Sequence, residues 1–164
     1  MEIRSVSASD YHVIAPLVND WWEGRQVIHM LPKLFFDHFS TTSFVAEEEG
    51  EIIGFLIGFL SQANMEEAYI HFVGVDPDYR NFSVGTKLYN KFIEVVTRRG
   101  NRRRIKCVIS PQNHESLSFH TKIGFEMIPG DQEINGISIH SNYDGPGQDR
   151  IVFIKRIKTI QSIT

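Results

Sequence analysis

The stretch Val75–Thr86, VDPDYRNFSVGT, gathers the features that hold an anion. An apolar run gives way to a Pro/Asp turn, and a helical period then opens with Ser83, Gly85 and Thr86 at its mouth. A helix start carries four N–H groups without intrahelical acceptors and a partial positive charge, which together bind a phosphate or diphosphate. Arg80 adds a permanent charge on a planar fork of donors, and small residues at 83 and 85 let an anion come close to the backbone. The same residues also read without any ligand, as an Asp76-Pro77-Asp78 turn followed by a Ser83 helix cap. Neither G-x-G-x-x-G nor G-x-x-x-x-G-K-[ST] occurs, so nothing points to a dinucleotide or to nucleotide hydrolysis.

Proton-transfer chemistry has its own candidates. Glu66 and Glu67 stand at the start of the strand before the turn and His71 lies within it; carboxylate and imidazole are the usual proton acceptors near neutral pH. Each has a structural reading beside the functional one. Glu67 reads equally as a solvated strand-end carboxylate, and His71, alternating with Tyr69 and Val73, as a hydrogen-bonded sheet residue. The seven histidines show no H-x-x-x-H or H-E-x-x-H spacing, and no metal site is expected. Cys107, the one cysteine, alternates with Ile105 and Ile109 as a buried strand residue would, and a single thiol excludes an internal disulfide framework.

The elements that must position these residues follow from periodicity. Glu2–Ser5 reads as a strand. Ser9 or Asp10 caps a helix bearing Ile14, Leu17, Val18 and Trp21, and a short helix after Pro32 carries Leu34, Phe35, Phe36 and Phe39. Ser43–Glu47 and Glu51–Leu60 read as strands joined at Glu49-Gly50, the second apolar enough to be buried on both faces. Ala68–Val75 is a third strand, ended by Pro77. From Val84 one helix face carries Val84, Leu88, Phe92, Val95 and Val96, with Gly100 as its C′ residue. Arg103–Ile109 returns to strand, Asn113–Lys122 to helix and Phe125–Ile128 to strand. Ser138–His140 and Arg150–Ile154 read as late strands around the polar loop Asn142–Asp149. The order describes an α/β domain with a mixed sheet.

The 164 residues suit one compact domain over 1–164, with a real core. Seventeen Lys+Arg against twenty Asp+Glu leave a net charge of −3, which argues against a nucleic-acid or membrane-surface partner. No apolar run reaches the ~18–20 residues that cross a bilayer, and the N-terminus lacks a signal-like apolar region; a cytoplasmic location is expected.

V-D-P-D-Y-R-N-F-S-V-G-T resembles the acyl-CoA-binding motif of the GNAT N-acetyltransferase superfamily, V-x-P-x-x-R-x-x-G-x-G/A. Downstream, Asn113-His-Glu-Ser116-Leu-Ser-Phe119-His120-Thr-Lys122-Ile-Gly124-Phe125 resembles that family's second motif, in the right order and with a strand between the two. Two positions depart from the pattern: Ser83 stands where glycine is usual, and His120 where tyrosine often serves as acid to the leaving thiolate.

The resemblance implies a GNAT-like single domain with a mostly antiparallel sheet flanked by helices, and acetyl-CoA as cosubstrate. It implies direct transfer of acetyl to a primary amine in a ternary complex, with a small-molecule acceptor favoured over a protein. The backbones of Val73 and Val75 would hold the pantetheine amides, and the Val73 N–H would polarise the thioester carbonyl. The N–H groups from Arg80 through Asn81, Ser83, Val84 and Gly85 to Thr86 would cradle the diphosphate. Asn113, otherwise an N-cap, and Ser116 would meet the arm. Glu67 or His71 would take the amine's proton, directly or through water, and His120 would donate to the thiolate or position a water for it. Trp22, Arg25, Tyr143 and Asp144 would wall the acceptor pocket, unless the tryptophans are core and Asp144-Gly145-Pro146-Gly147 only a turn. The basic cluster Arg98, Arg99, Arg102, Arg103 and Arg104 would reach the 3′-phosphate of CoA or an acidic partner, or else serve the helix end. A homodimer is compatible with the resemblance. The alternative from another class is a non-catalytic acyl-CoA-binding or sensing module.

Overall fold

The computed structural model describes residues 1–99 and 101–158; Gly100, the expected C′ residue, lies outside them. The expected α/β class with a mostly antiparallel mixed sheet is what the chain adopts. The strands are β1 (Glu2–Ser5), β2 (Phe44–Glu48), β3 (Glu51–Leu60), β4 (Glu67–Val75), β5 (Arg104–Ile109), β6 (Glu126–Met127), β7 (Gln132–Ile134), β8 (Ile137–Ile139) and β9 (Ile151–Arg156). The helices are α1 (Asp10–Trp21), α2 (Leu34–His38), α3 (Val84–Arg98) and α4 (His114–Lys122). Seven strands form one sheet in the order β1-β2-β3-β4-β5-β9-β6, and β7 and β8 form a separate hairpin. Among the described residues of the large sheet only β4 and β5 run parallel.

β3 is the centre of the packing, and its two faces serve two clusters, the alternation slipping by one residue at the bulge at Ile53. Ile52, Phe55 and Ile57 pack with Ile14, Val18 and Trp21 of α1 and Phe36 of α2. Ile53 and Leu56 pack with Val84, Leu88, Phe92 and Val96 of α3. The glycines of β3 set how closely α3 lies on the sheet. A Cβ at Gly54 would come within 2.9 Å of Val84 Cγ1, and one at Gly58 within 2.9 Å of Phe92 Cζ.

Several boundaries differ from those read in the sequence, for local reasons. Ser9 makes no side-chain cap to α1. The Asp10 carboxylate instead accepts the Ser7 N–H at 2.7 Å and is gripped by both Arg4 amino groups, at 2.8 and 3.0 Å. Asn113 lies just outside α4 as its N-cap and accepts the Ser116 N–H at 3.1 Å. Phe125 precedes β6, which is reduced to Glu126–Met127. The strand expected at Ser138–His140 is β8, one residue earlier, and it pairs with β7 across Asn135-Gly136, both at positive φ (51° and 79°), the two-residue turn that hairpins favour.

Burial raises the pKa of Asp10, but the hydrogen bonds from Arg4 and Ser7 outweigh it, and its carboxyl titrates below the usual carboxylate range. A depressed folded-state pKa contributes stability that is present above pH ~4 and lost as pH falls through the folded value. Asp10→Asn is expected to lower the unfolding free energy by about 2 kcal/mol near neutral pH. The difference from wild type should shrink toward pH 3 in denaturant titrations; an unchanged difference would show that the ion pair contributes nothing.

Candidate active site

Two features of the sheet open a site. The register of β3 with β4 passes from Ile57↔Phe72 to Gly58↔Ile70, so His71 is an extra residue bulged out of β4. β4 pairs with β5 only at Glu67↔Arg104, Ala68↔Ile105 and Tyr69↔Lys106, while β5 pairs with β9 along its whole length. Beyond Tyr69, β4 therefore has an edge with no β5 partner. A cavity of about 820 Å³ runs along the outer part of that edge and onto the starts of α3 and α4.

The cradle expected from the sequence lies in this cavity. Arg80, Asn81, Ser83, Gly85 and Thr86 line it, with Val73 and Val75 from the β4 edge. Val84 itself does not line it, its side chain being fully buried in the core. Ser83 sits in the left-handed region (φ 61°, ψ 22°), a conformation that costs a non-glycine residue about 1–2 kcal/mol. Its hydroxyl makes no cap, and the first bond to its carbonyl comes from the Lys87 N–H at 3.0 Å. The first N–H groups of α3 thus keep the unpaired character of a helix start. Arg80 is tied down, one amino group donating to the Trp21 carbonyl at the end of α1 at 2.7 Å.

These residues fit the diphosphate and amide arm of acetyl-CoA. The atoms nearest to a Cβ at Gly85 would be those of the Phe119 ring, at 3.4 and 3.6 Å, and Val75 Cγ2, at 3.9 Å, ordinary contacts that leave the Gly85 backbone without a close side-chain cover. Asn113 and Ser116 line the same cavity, as do Trp22 and Arg25. Trp22 is stacked on Phe72 with ring centres 5.0 Å apart, and Arg25 donates weakly to the Trp22 carbonyl at 3.4 Å. Trp21 is core, 5% exposed.

Besides Val84, four expected site residues stand apart from the cavity lining. The Glu67 carboxylate accepts from Arg104 Nε at 3.2 Å, where β4 and β5 still pair. The Nε2 of His71 lies 2.6 Å from the Met30 carbonyl; since a carbonyl only accepts, Nε2 carries the proton and Nδ1 is left as an acceptor. Phe35 stacks on that ring with centres 4.5 Å apart. Tyr143 lies under the Lys106 ammonium at 5.7 Å, and Asp144 pairs with Arg150 at 2.8 Å. The basic cluster sits at the other end of α3, ~22 Å along a 15-residue helix from the cradle. There Arg98 pairs with Glu94, Arg103 and Arg104 pair with Glu66, and buried Arg102 donates to the carbonyls of Met65 and Ser61.

His120 is 5% exposed and fully engaged. Its Nδ1 donates to the Ser116 carbonyl at 2.7 Å, which leaves Nε2 of the neutral ring to accept from the Tyr89 hydroxyl, also at 2.7 Å. Burial holds its pKa below the ordinary histidine value against the opposing pull of the Ser116 carbonyl. The neutral ring therefore has no free N–H to give. Tyr89, which the helical periodicity did not single out, also lines the cavity, and burial pushes its hydroxyl well above the usual tyrosine range. Burial likewise raises the Cys107 thiol, which rules it out as a nucleophile at neutral pH.

Residues 11–125 match the model of the acetyltransferase (GNAT) family. The chain is 31% identical over 135 residues to an L-2,4-diaminobutyric acid acetyltransferase of Virgibacillus pantothenticus, covering 70% of this chain and 80% of that protein. It is 37% identical over 87 residues to an uncharacterized N-acetyltransferase of Methanocaldococcus jannaschii, which is 51% of this chain but only 38% of that protein's length. Among solved structures, the fold is similar to a diaminobutyrate acetyltransferase from Paenibacillus lautus, solved with L-2,4-diaminobutyric acid and coenzyme A. That likeness has a TM-score of 0.70 at 20% identity and covers 98% of each chain.

Proposed function

The chain belongs to the acetyltransferase (GNAT) family, and from that premise we propose that it passes acetyl from acetyl-CoA directly to the primary amine of a small molecule, both substrates being bound at once. The observation that carries this reading is the unpartnered β4 edge opening beside the uncapped start of α3. The relatives named for diaminobutyric acid support a small amino-acid acceptor and make L-2,4-diaminobutyrate the first to test.

Acetyl-CoA supplies an activated acyl group and a thiolate leaving group. The residues of the chain bind and orient it. The N–H groups at the start of α3 and the nearby Arg80 hold the diphosphate. The Val73 and Val75 backbones extend the sheet onto the amide arm, and the Val73 N–H points its dipole at the developing oxyanion. Asn113 and Ser116 steady the arm from α4. Trp22 and Arg25 offer the acceptor an aromatic face and a carboxylate-binding fork. The groups left to accept the amine's proton are Nδ1 of His71 and the Glu67 carboxylate, directly or through water.

One observation favours the rival reading, an acyl-CoA-binding module without turnover: Glu67, His71 and His120 each already hold a protein partner. Initial rates with both substrates varied decide the matter. Direct transfer predicts intersecting double-reciprocal lines and an unmodified protein mass after exposure to acetyl-CoA alone. Parallel lines with an acetylated protein would contradict direct transfer, and acetyl-CoA binding with no rate on any amine would favour the rival.

A further inference from the structure

Tyr89 and His120 form a hydrogen-bonded pair buried in the cavity wall, one on α3 and the other on α4. The pair is held from both sides. The His120 ring is stacked on Phe153 with centres 5.4 Å apart and planes at 15°, and its Nδ1 is fixed by the Ser116 carbonyl. The Tyr89 ring meets Phe119 and Phe125 edge to face. Tyr89 lies four residues after Gly85, one turn deeper into α3 on the same side, and it lines the same cavity as the cradle. Position 120, where the motif's hydroxyl would stand, carries an imidazole with no N–H to spare, and a hydroxyl from the neighbouring helix reaches it instead.

We infer that the Tyr89 hydroxyl is the proton donor to the sulfur of the departing thiolate, and that His120 is a positioning residue which acts by holding that hydroxyl at the cavity wall. The inference rests on the acetyl-CoA reading of the cavity. In the step, the C–N bond forms and the C–S bond breaks while the phenolic proton leaves its bond to His120 Nε2 for the sulfur. The phenolate oxygen is reprotonated by the proton that the acceptor nitrogen loses on becoming an amide, so no further reactant is required. Neutral His120 orients the hydroxyl by accepting its single proton at Nε2, and the O–H turns from Nε2 to the sulfur as negative charge develops there.

The pair can be tested without any acceptor, by titrating the thiol of bound coenzyme A through its thiolate absorbance. A donor aimed at sulfur stabilises the thiolate, so the bound thiol should titrate about one pH unit lower in wild type than in Tyr89→Phe. His120→Phe keeps the ring volume and should lose at least half of that shift. In turnover, Tyr89→Phe should lower kcat by about 100-fold with the KM for acetyl-CoA within about twofold, a split that a merely structural tyrosine would not give. A second readout needs no variant: the 15N resonance of His120 Nε2 should move on adding coenzyme A and stay put with desulfo-coenzyme A. Equal thiol titration in wild type and Tyr89→Phe, both binding coenzyme A, overturns the inference alone. A wild-type chain that does not bind coenzyme A overturns the acetyl-CoA reading and the inference with it.

Discussion

Thr86→Glu is expected to weaken acetyl-CoA binding by at least about 100-fold while leaving the protein as stable as wild type or slightly more so. Thr86 is the third residue of α3 and lines the cavity. A carboxylate in the first turn of a helix complements the dipole and stabilises it by about 0.3–1 kcal/mol. The same carboxylate occupies the field and the N–H donors that a diphosphate needs, and it repels the diphosphate besides. A 100-fold loss corresponds to about 2.7 kcal/mol, within reach of two charge-assisted hydrogen bonds. Thr86→Ala keeps the backbone donors and should bind within severalfold of wild type. Calorimetric titration beside thermal melts separates the two effects, and unchanged affinity in Thr86→Glu would place the diphosphate elsewhere.

Gly58→Ala should destabilise the fold by about 3 kcal/mol, a fall in Tm of roughly 6–12 °C. The added methyl would press on the Phe92 ring and sit 3.0 Å from the Tyr69 carbonyl oxygen. β3 cannot shift away, because the Gly58 carbonyl accepts from Thr42 Oγ1 at 2.6 Å and Ser43 Oγ at 3.2 Å, and its N–H donates to Ser43 Oγ at 3.1 Å. Phe92 is fully buried, so its ring has no open space to enter. Phe92→Leu should therefore partly rescue Gly58→Ala, the double mutant losing at least about 1 kcal/mol less than the sum of the singles. Strict additivity in denaturant titrations would show that the clash lies elsewhere.

Much of this architecture is legible in the sequence because it is local. EIIGFLIGFL announces a strand buried on both faces, and the spacing of Val84, Leu88, Phe92 and Val96 places α3 against it. The cradle is legible for the same reason, a turn running into a helix start within a few residues. What was not legible depends on distant partners. Nothing in β4 or β5 alone says that they pair for three residues and then part while β5 stays paired with β9 throughout. Tyr89 belongs to the buried side of α3, and only the approach of His120, 31 residues later, gives its hydroxyl a partner. His71 and Glu67 carry the residue types of a proton acceptor, yet their partners come from the Met30 carbonyl and Arg104. Loops carry no such periodic signal: Arg25 falls on the cavity and Tyr143 and Asp144 do not, and nothing in their residue types separates them.

The most direct measurement is thiol release from acetyl-CoA by the full chain with L-2,4-diaminobutyrate and a panel of other small primary amines, each against a control without acceptor. Direct acetyl transfer predicts release that depends on the amine, with a stoichiometric acetylated product. Release no faster than the control with every amine, from a protein shown to bind acetyl-CoA, would contradict it and leave a binding module in its place.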